Sequence, residues 1–183
     1  MSTLRIAVVV GSLRRESFNR KLASALGKLM PPDVQLDRVE IGDLPLFNQD
    51  DEQHPAAAVT RLKEQVKAAD GVIFVTPEYN RSISGVLKNA LDQGSRPYGQ
   101  SVWAKKPAGV IGISVGAIGT SLAQQHLRNV LAYLDMPTLG QPEVFLQHKD
   151  DTFQADGSLN ESVAKFVGGW VSAYVAFVKR HQG

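Results

Sequence analysis

Short, almost continuously apolar runs alternate with longer segments of helical period along this chain. The clearest runs are RIAVVV at 5–10, GVIFVT at 71–76 and AGVIGIS at 108–114. Such runs are typical of strands that are covered on both faces, as in parallel sheets. Between them, apolar residues recur at intervals of three and four, which indicates amphipathic helices. The alternation therefore predicts an α/β fold, a parallel sheet with helices on both of its faces.

Five strand–helix units follow one another, and we expect them to form a single domain over residues 1–183. The predicted strands lie at 5–10, 34–41, 71–76, 108–114 and 143–146. The predicted helices begin near Ser17, at Ala56, after Ser84, at Thr120 and after Ser158 or Asn160. We expect the doubly wound strand order 2-1-3-4-5. In such sheets ligands bind beyond the carboxyl ends of the strands, where the winding reverses, which selects the loops at 11–19, 77–83 and 114–119.

Composition excludes several classes of protein. Twenty Lys and Arg against eighteen Asp and Glu leave a net charge of +2, which is too small to suggest binding to nucleic acid or insertion into a membrane surface. The absence of cysteine excludes disulfides and thiol catalysis, and the four histidines lack metal-ligand spacing, so we expect no metal site. The apolar run near the N-terminus is too short for a signal peptide or a membrane span. We expect a cytoplasmic protein.

The loop at 11–19 (GSLRRESFN) leads from a buried strand into a helix. It combines the hydroxyls of Ser12 and Ser17, the guanidinium groups of Arg14 and Arg15, and the free amides of a helix start. This set of donors favours an anion, and phosphate suits it best. The chain contains neither GxxxxGK[ST] nor a GxGxxG after the first strand, so a terminal monophosphate fits better than a triphosphate or a dinucleotide. The alternative is that Ser17 only caps the helix and the arginines are solvated.

The other two selected loops differ in character. The loop after the third strand contains Pro77, Tyr79 and Asn80, whereas the loop after the fourth strand carries the small residues Gly116 and Gly119. An aromatic face beside backbone that can approach closely makes a flat slot for a heterocycle. A phosphate at one end and a flat heterocycle at the other describe flavin mononucleotide (FMN). The alternative is that both loops are plain turns.

Three segments together resemble the NADPH-dependent FMN reductase family, and within it the bacterial quinone and chromate reductases. They are GSLRRESFN at 11–19, TPEYNRSISGVLKNALD at 76–92, and the stretch from Ser114 to Gly119. The resemblance implies a flavodoxin-like three-layer sandwich, a bound FMN and NAD(P)H as co-substrate. It also implies a homodimer or homotetramer.

The resemblance assigns cofactor-binding roles residue by residue. The phosphate and ribityl end of FMN would be held by Ser12, Leu13, Arg14, Ser17, Phe18 and Asn19. The flavin ring would be lined by Pro77, Glu78, Tyr79, Asn80 and Arg81, with Ser114, Val115 and Gly116 nearby. Arg81 departs from the family pattern, in which we expect an aromatic or small residue. No side chain is expected to be catalytic, because flavin N5 carries the chemistry.

Two functions follow from a bound FMN. The first is an NAD(P)H oxidoreductase, in which hydride passes to flavin N5 and a second substrate then takes the electrons by a ping-pong mechanism. Quinones, chromate, azo compounds and free flavin are the expected small-molecule acceptors. The alternative is a flavodoxin-type electron carrier that does not itself oxidise NAD(P)H. The net charge of +2 argues against a carrier, because such carriers tend to be strongly acidic.

Overall fold

The computed structural model describes residues 3–182, and its centre is a five-stranded sheet. The strands are β1 (Leu4–Val10), β2 (Val34–Val39), β3 (Gly71–Val75), β4 (Ala108–Ser114) and β5 (Phe145–Gln147). Their order is β2-β1-β3-β4-β5, and every neighbouring pair is parallel. The predicted strand order is confirmed.

The helices cover both faces of this sheet, which confirms the three-layer sandwich. They are α1 (Phe18–Leu29), α2 (Ala57–Lys67), α3 (Gly85–Ser95), α4 (Ser121–Tyr133) and α5 (Glu161–Arg180), with a short 3₁₀ helix at Gln49–Asp51. Apolar residues of α1 and α5 form one core with one face of the sheet. Those of α2, α3 and α4 form a second core with the opposite face.

The central strands show why their sequences are continuously apolar. In β1, Ile6 and Val8 belong to the core with α1 and α5, whereas Ala7 and Val9 belong to the other core. Successive side chains of a strand point to opposite faces, so a strand covered on both sides exposes none of them to water. All four of these side chains are buried.

Three of the predicted helix starts are confirmed by their caps. The Ser17 and Ser84 hydroxyls accept from the amides of Arg20 and Leu87, at 3.3 and 3.4 Å, and so cap α1 and α3. Asn160 rather than Ser158 caps α5, since its Oδ1 accepts from the amide of Val163 at 2.9 Å.

The two edge strands differ from their predicted bounds. β2 ends at Val39, two residues before the predicted end at position 41, and β5 begins at Phe145 rather than at position 143. Both strands pair on one side only, and β2 is half-buried over most of its length. Because edge strands are less buried, their sequences show a weaker hydrophobic pattern. The ends of such strands are therefore the hardest to predict from sequence.

The loops after β1 and β3 are tied together at the carboxyl edge of the sheet. The Gly11 amide donates to the Val75 carbonyl at 2.9 Å, and the Ser84 hydroxyl donates to the Gly11 carbonyl at 2.6 Å. A Cβ on Gly11 would lie 3.2 Å from Pro77, so the two loops are in close contact. Within residues 3–182, none of the helices combines the length and apolar character needed to cross a bilayer.

Candidate functional site

The loop from Ser12 to Asn19 presents a row of backbone donors at this edge. Within the described part of the chain, the amides of residues 12–19 donate no hydrogen bond. Ser12, Ser17 and Asn19 are nevertheless buried, each at most 4% exposed. Buried amides are almost always paired, and unpaired amides at a helix start bind anions. The loop therefore has the geometry of a phosphate cradle.

The two serines of the loop differ in what they already bind. The Ser17 hydroxyl accepts a hydrogen bond as the cap of α1, so Ser17 has the capping role that the sequence analysis gave as the alternative. The proton of this hydroxyl remains available to a ligand. The Ser12 side chain forms no hydrogen bond to any of residues 3–182. The Ser12 hydroxyl is thus free to donate to a ligand at this edge of the sheet.

Asn19 has a structural role that the sequence did not indicate. Its Nδ2 donates to the Ile113 carbonyl at 2.9 Å, and its Oδ1 accepts from the Ile113 amide at 3.1 Å. The side chain therefore acts as a strand partner for β4 and anchors the first turn of α1 to it. One Nδ2 hydrogen remains for a ligand, and the contact of Asn19 with the phosphate and ribityl end of FMN stays a prediction.

An aromatic stack flanks the loop on the side of β5. The Arg14 guanidinium lies 5.5 Å from the centre of the Phe18 ring. Phe18 in turn stacks on His148, with ring centres 3.7 Å apart. His148 was not among the predicted site residues, because only the crossover to β5 brings it beside α1 and no local pattern signals that contact.

The loop after β3 ends in a tight, strained turn. Tyr79 and Ser82 exchange two backbone hydrogen bonds of 3.0 Å, and the residues between them, Asn80 and Arg81, have φ of 50° and 65°. Two central residues with positive φ are what a type I′ turn requires. Asn tolerates this region, whereas Arg is rarely found there. The turn holds Tyr79, half exposed, at the carboxyl edge.

Glu78 ties the same loop to the next helix. Its Oε2 accepts from the amides of Leu122 and Ala123, at 3.1 and 3.2 Å. α4 has no side-chain cap from Thr120, so the Glu78 carboxylate takes that place and faces the positive end of the helix. Its other oxygen lies 3.5 Å from the Arg81 guanidinium. Glu78 therefore positions the loop through its side chain.

The loop after β4 is closed by Gly119, which has φ of +60°. A Cβ there would lie 2.7 Å from the Phe145 backbone, so only glycine fits. The Ser114 hydroxyl donates to the Gly119 carbonyl and stabilises this bend. A Cβ on Gly116 would meet only the Ser114 hydroxyl, at 3.7 Å, so a ligand has room to approach the backbone there.

Large apolar side chains are exposed around the three loops. They are Leu13, Tyr79, Val115, Ile118 and Leu122. An apolar rim of this kind beside a phosphate cradle fits a ligand with one charged and one flat, largely apolar end. The residues present thus fit FMN: amides and hydroxyls for its phosphate, and an apolar slot for its ring.

The sequence comparisons agree with this geometry. The sequence model of the NADPH-dependent FMN reductase family matches residues 4–151. A 2-hydroxy-1,4-benzoquinone reductase from a Burkholderia species is 51% identical over 177 residues, covering 96% of this chain and 97% of the relative. A quinone reductase from Pseudomonas putida is 48% identical over 175 residues, covering 95% of this chain and 94% of the relative.

Among solved structures, this chain is similar to FerB, a flavoenzyme NAD(P)H:(acceptor) oxidoreductase from Paracoccus denitrificans. The TM-score is 0.94 at 43% sequence identity, and the match covers 97% of this chain and 98% of FerB. The flavodoxin-like fold is confirmed.

Proposed function

The chain belongs to the NADPH-dependent FMN reductase family, and from this premise we propose that it is a cytoplasmic NAD(P)H-dependent quinone reductase. Its relatives from Burkholderia and Pseudomonas putida are named as quinone reductases. The observation that carries the proposal is the loop of residues 12–19, whose unpaired amides lie at the point where the sheet reverses its winding.

We assign the phosphate end of FMN to the loop after β1. Ser12 and Ser17 would donate their hydroxyls to phosphate oxygens, and Arg14 would add a charged hydrogen bond without losing its contact with Phe18. Leu13, Phe18 and Asn19 would border the ribityl chain. Phosphate is thereby held without a lysine or a metal.

The flavin ring would lie between the loops after β3 and β4. Its lining would be Pro77, Glu78, Tyr79, Asn80, Arg81, Ser114, Val115 and Gly116. The amides of Glu78 and Asn80 donate to no acceptor within residues 3–182, so they are available to the polar edge of the ring. Donors aimed at that edge stabilise negative charge that develops there during reduction.

When bound, FMN would supply the redox chemistry, taking a hydride from NAD(P)H and passing the electrons to a second substrate. The chain contributes binding and access. Val115 is 70% and Tyr79 50% exposed, so the slot is open to solvent on one side. One open face admits the two substrates in turn, which predicts ping-pong kinetics. An open slot selects weakly, so we include chromate, azo compounds and free flavin among the acceptors beside quinones.

Absorbance spectroscopy tests the proposal. The purified protein should show flavin bands and lose them within seconds when NADPH or NADH is added under nitrogen, and 1,4-benzoquinone should restore them. Bands that persist for minutes with both nicotinamides would instead identify an electron carrier. A colourless protein that takes up no FMN at micromolar concentration would refute the cofactor assignment itself.

We also propose that the protein forms a homodimer or homotetramer. Support comes from large exposed side chains away from the slot, among them Tyr133 at the end of α4 and Phe166 on α5. Light scattering after gel filtration should give a mass of two or four times 19.9 kDa. A mass of one chain at micromolar concentration would contradict this assembly.

A further inference from the structure

Arg81 is a solvent-facing cation at the ring end of the proposed flavin site. Its side chain is 69% exposed, and it follows Asn80 in the tight turn after β3. Segments 77–84 and 114–124 form the loops after β3 and β4 and the first turn of α4. The only charged residues in these two segments are Glu78 and Arg81. These two side chains therefore determine the charge on this side of the slot.

The charge of Glu78 is largely offset within the protein. Its side chain is only 9% exposed, and its Oε2 accepts from the amides of Leu122 and Ala123 at the positive end of α4. Its other oxygen lies 3.5 Å from the Arg81 guanidinium, which is too long for a strong hydrogen bond. A loose pair with so exposed a cation neutralises little. This side of the slot is therefore left positive.

The backbone of Arg81 is strained, although its side chain has no strong partner. Its φ of 65° lies in the left-handed region, which is unfavourable for residues other than glycine. Within residues 3–182, no acid except Glu78 lies within 4.0 Å of its guanidinium. Strained residues cluster at sites that bind ligands. A ligand that pairs with the guanidinium would account for an arginine at this position.

The surroundings of Arg81 narrow the kind of ligand. Glu78 contacts both Arg81 and the amide of Leu122, so Arg81 lies beside the exposed apolar rim to which Leu122 belongs. A flat apolar molecule fits against such a rim. An acid group on that molecule could pair with the guanidinium, because the arginine fork matches the oxygens of an anion.

We propose that Arg81 determines acceptor specificity, so that the protein prefers aromatic quinones bearing an ionised acid group to neutral quinones. The inference rests on the proposed function and names the class of acceptor for the same slot. The quinone gains two electrons and two protons and leaves as the hydroquinone. NAD(P)H gives both electrons and one proton as hydride, and the solvent gives the second proton. The acid group does not react, so Arg81 acts only by attracting and binding it.

Calorimetry on the oxidised, FMN-loaded protein measures this preference without turnover, because no NAD(P)H is present. The probes are 1,4-naphthoquinone-2-sulfonate, which carries an ionised group, and the neutral 1,4-naphthoquinone. Wild type should bind the sulfonate about fivefold more tightly than the neutral quinone, and Arg81→Gln should lose this difference. Arg81→Lys keeps the charge and should retain most of it. Lys67→Gln removes a positive charge at the end of α2, at the opposite edge of the sheet, and should bind like wild type.

Reoxidation kinetics separate this inference from the proposed function. The protein is reduced with NADH under nitrogen and then mixed with each quinone. Arg81→Gln should slow reoxidation by the sulfonate about fivefold more than reoxidation by the neutral quinone. Added salt should slow the sulfonate in wild type and have little effect on it in Arg81→Gln. Arg81→Gly also removes the charge and relaxes the turn, so it gives the same readouts if Arg81→Gln fails to retain FMN or to fold.

Two results would overturn the role of Arg81: equal binding of both quinones by wild type, or equal slowing of both in Arg81→Gln. Fast reoxidation by either quinone would still support the reductase. A wild-type protein that NADH does not reduce would contradict the proposed function instead, and calorimetry would still decide for or against the preference for the sulfonate.

Discussion

Ser12 is only 4% exposed, and its hydroxyl forms no hydrogen bond within residues 3–182. Removing it should therefore cost the protein itself little and the FMN complex one hydrogen bond. We expect Ser12→Ala to raise the Kd for FMN about fivefold, which corresponds to about 1 kcal/mol. The free energy of unfolding without FMN should change by less than about 0.5 kcal/mol.

Flavin fluorescence quenching and urea unfolding measure the two effects of Ser12→Ala. Ser172→Ala is the matched control, because the Ser172 hydroxyl bonds its own helix at the Gly168 carbonyl, outside the site. Equal FMN affinity in Ser12→Ala and wild type would remove Ser12 from the phosphate cradle.

Arg81 stores backbone strain at the mouth of the slot. With φ of 65°, its backbone occupies a region that costs a non-glycine residue about 1–2 kcal/mol. Arg81→Gly creates the Asn-Gly pair that type I′ turns prefer, and it loses only an exposed ion pair of 3.5 Å to Glu78. We expect it to stabilise the protein by about 1 kcal/mol, which corresponds to a Tm about 2–4 °C higher.

Differential scanning calorimetry checks the Arg81 prediction. Arg81→Ala removes the same ion pair but keeps the Cβ, so it should not gain stability. A Tm for Arg81→Gly equal to that of Arg81→Ala would show that the turn is not strained.

At the scale of elements, Glu78 connects the loop after β3 with α4. Glu78→Ala would leave the amides of Leu122 and Ala123 without their acceptor. Because charged caps of this kind are worth about 1–2 kcal/mol, we expect urea unfolding to show a loss of that size. Hydrogen exchange should accelerate at these two amides.

Glu161→Ala provides the comparison for Glu78→Ala. Glu161 is exposed in the first turn of α5, where Asn160 already supplies the cap. Its removal should cost less than about 0.5 kcal/mol. Similar losses in both variants would mean that Glu78 acts through helix charge alone rather than through its two hydrogen bonds.

At the scale of the whole molecule, Tyr174 lies at the centre of the core between the sheet and α5. It is fully buried, stacks on Trp170 with ring centres 5.4 Å apart, and donates to the Pro107 carbonyl at 3.3 Å. Burial disfavours the charged phenolate and raises the pKa of Tyr174 well above its ordinary value.

The raised pKa of Tyr174 predicts a loss of stability at high pH. The unfolded chain ionises this tyrosine near pH 10 and the folded chain does not, so the contribution is complete below that pH and is lost above it. Tyr174→Phe should lower the Tm at neutral pH, because its hydrogen bond is lost, but should show a shallower fall above pH 10. Tyr133→Phe, at an exposed position, should retain the wild-type pH dependence, and a parallel fall in all three proteins would contradict the prediction.

Sequence alone was sufficient wherever burial or a local bond determines structure. The strands β1, β3 and β4 are continuously apolar because both of their faces are buried, and burial on both faces implies a parallel sheet with helices on each side. The caps Ser17 and Ser84 bond amides three residues away, so their signal is local. These features were enough to predict which loops lie at the carboxyl edge of the sheet. Together with the resemblance, they were also enough to predict the family and its FMN cofactor.

Only the tertiary structure decided how those loops are held and what lies beside them. The Asn19 bonds to Ile113 span 94 positions and the Glu78 cap on α4 spans 44. His148 reaches Phe18 only through the crossover to β5. The hydrophobic periodicity of a sequence indicates whether a side chain is buried, but it does not indicate which distant residue that side chain contacts. That partner depends on strand register and helix crossing, which the chain establishes only when the whole sheet has formed.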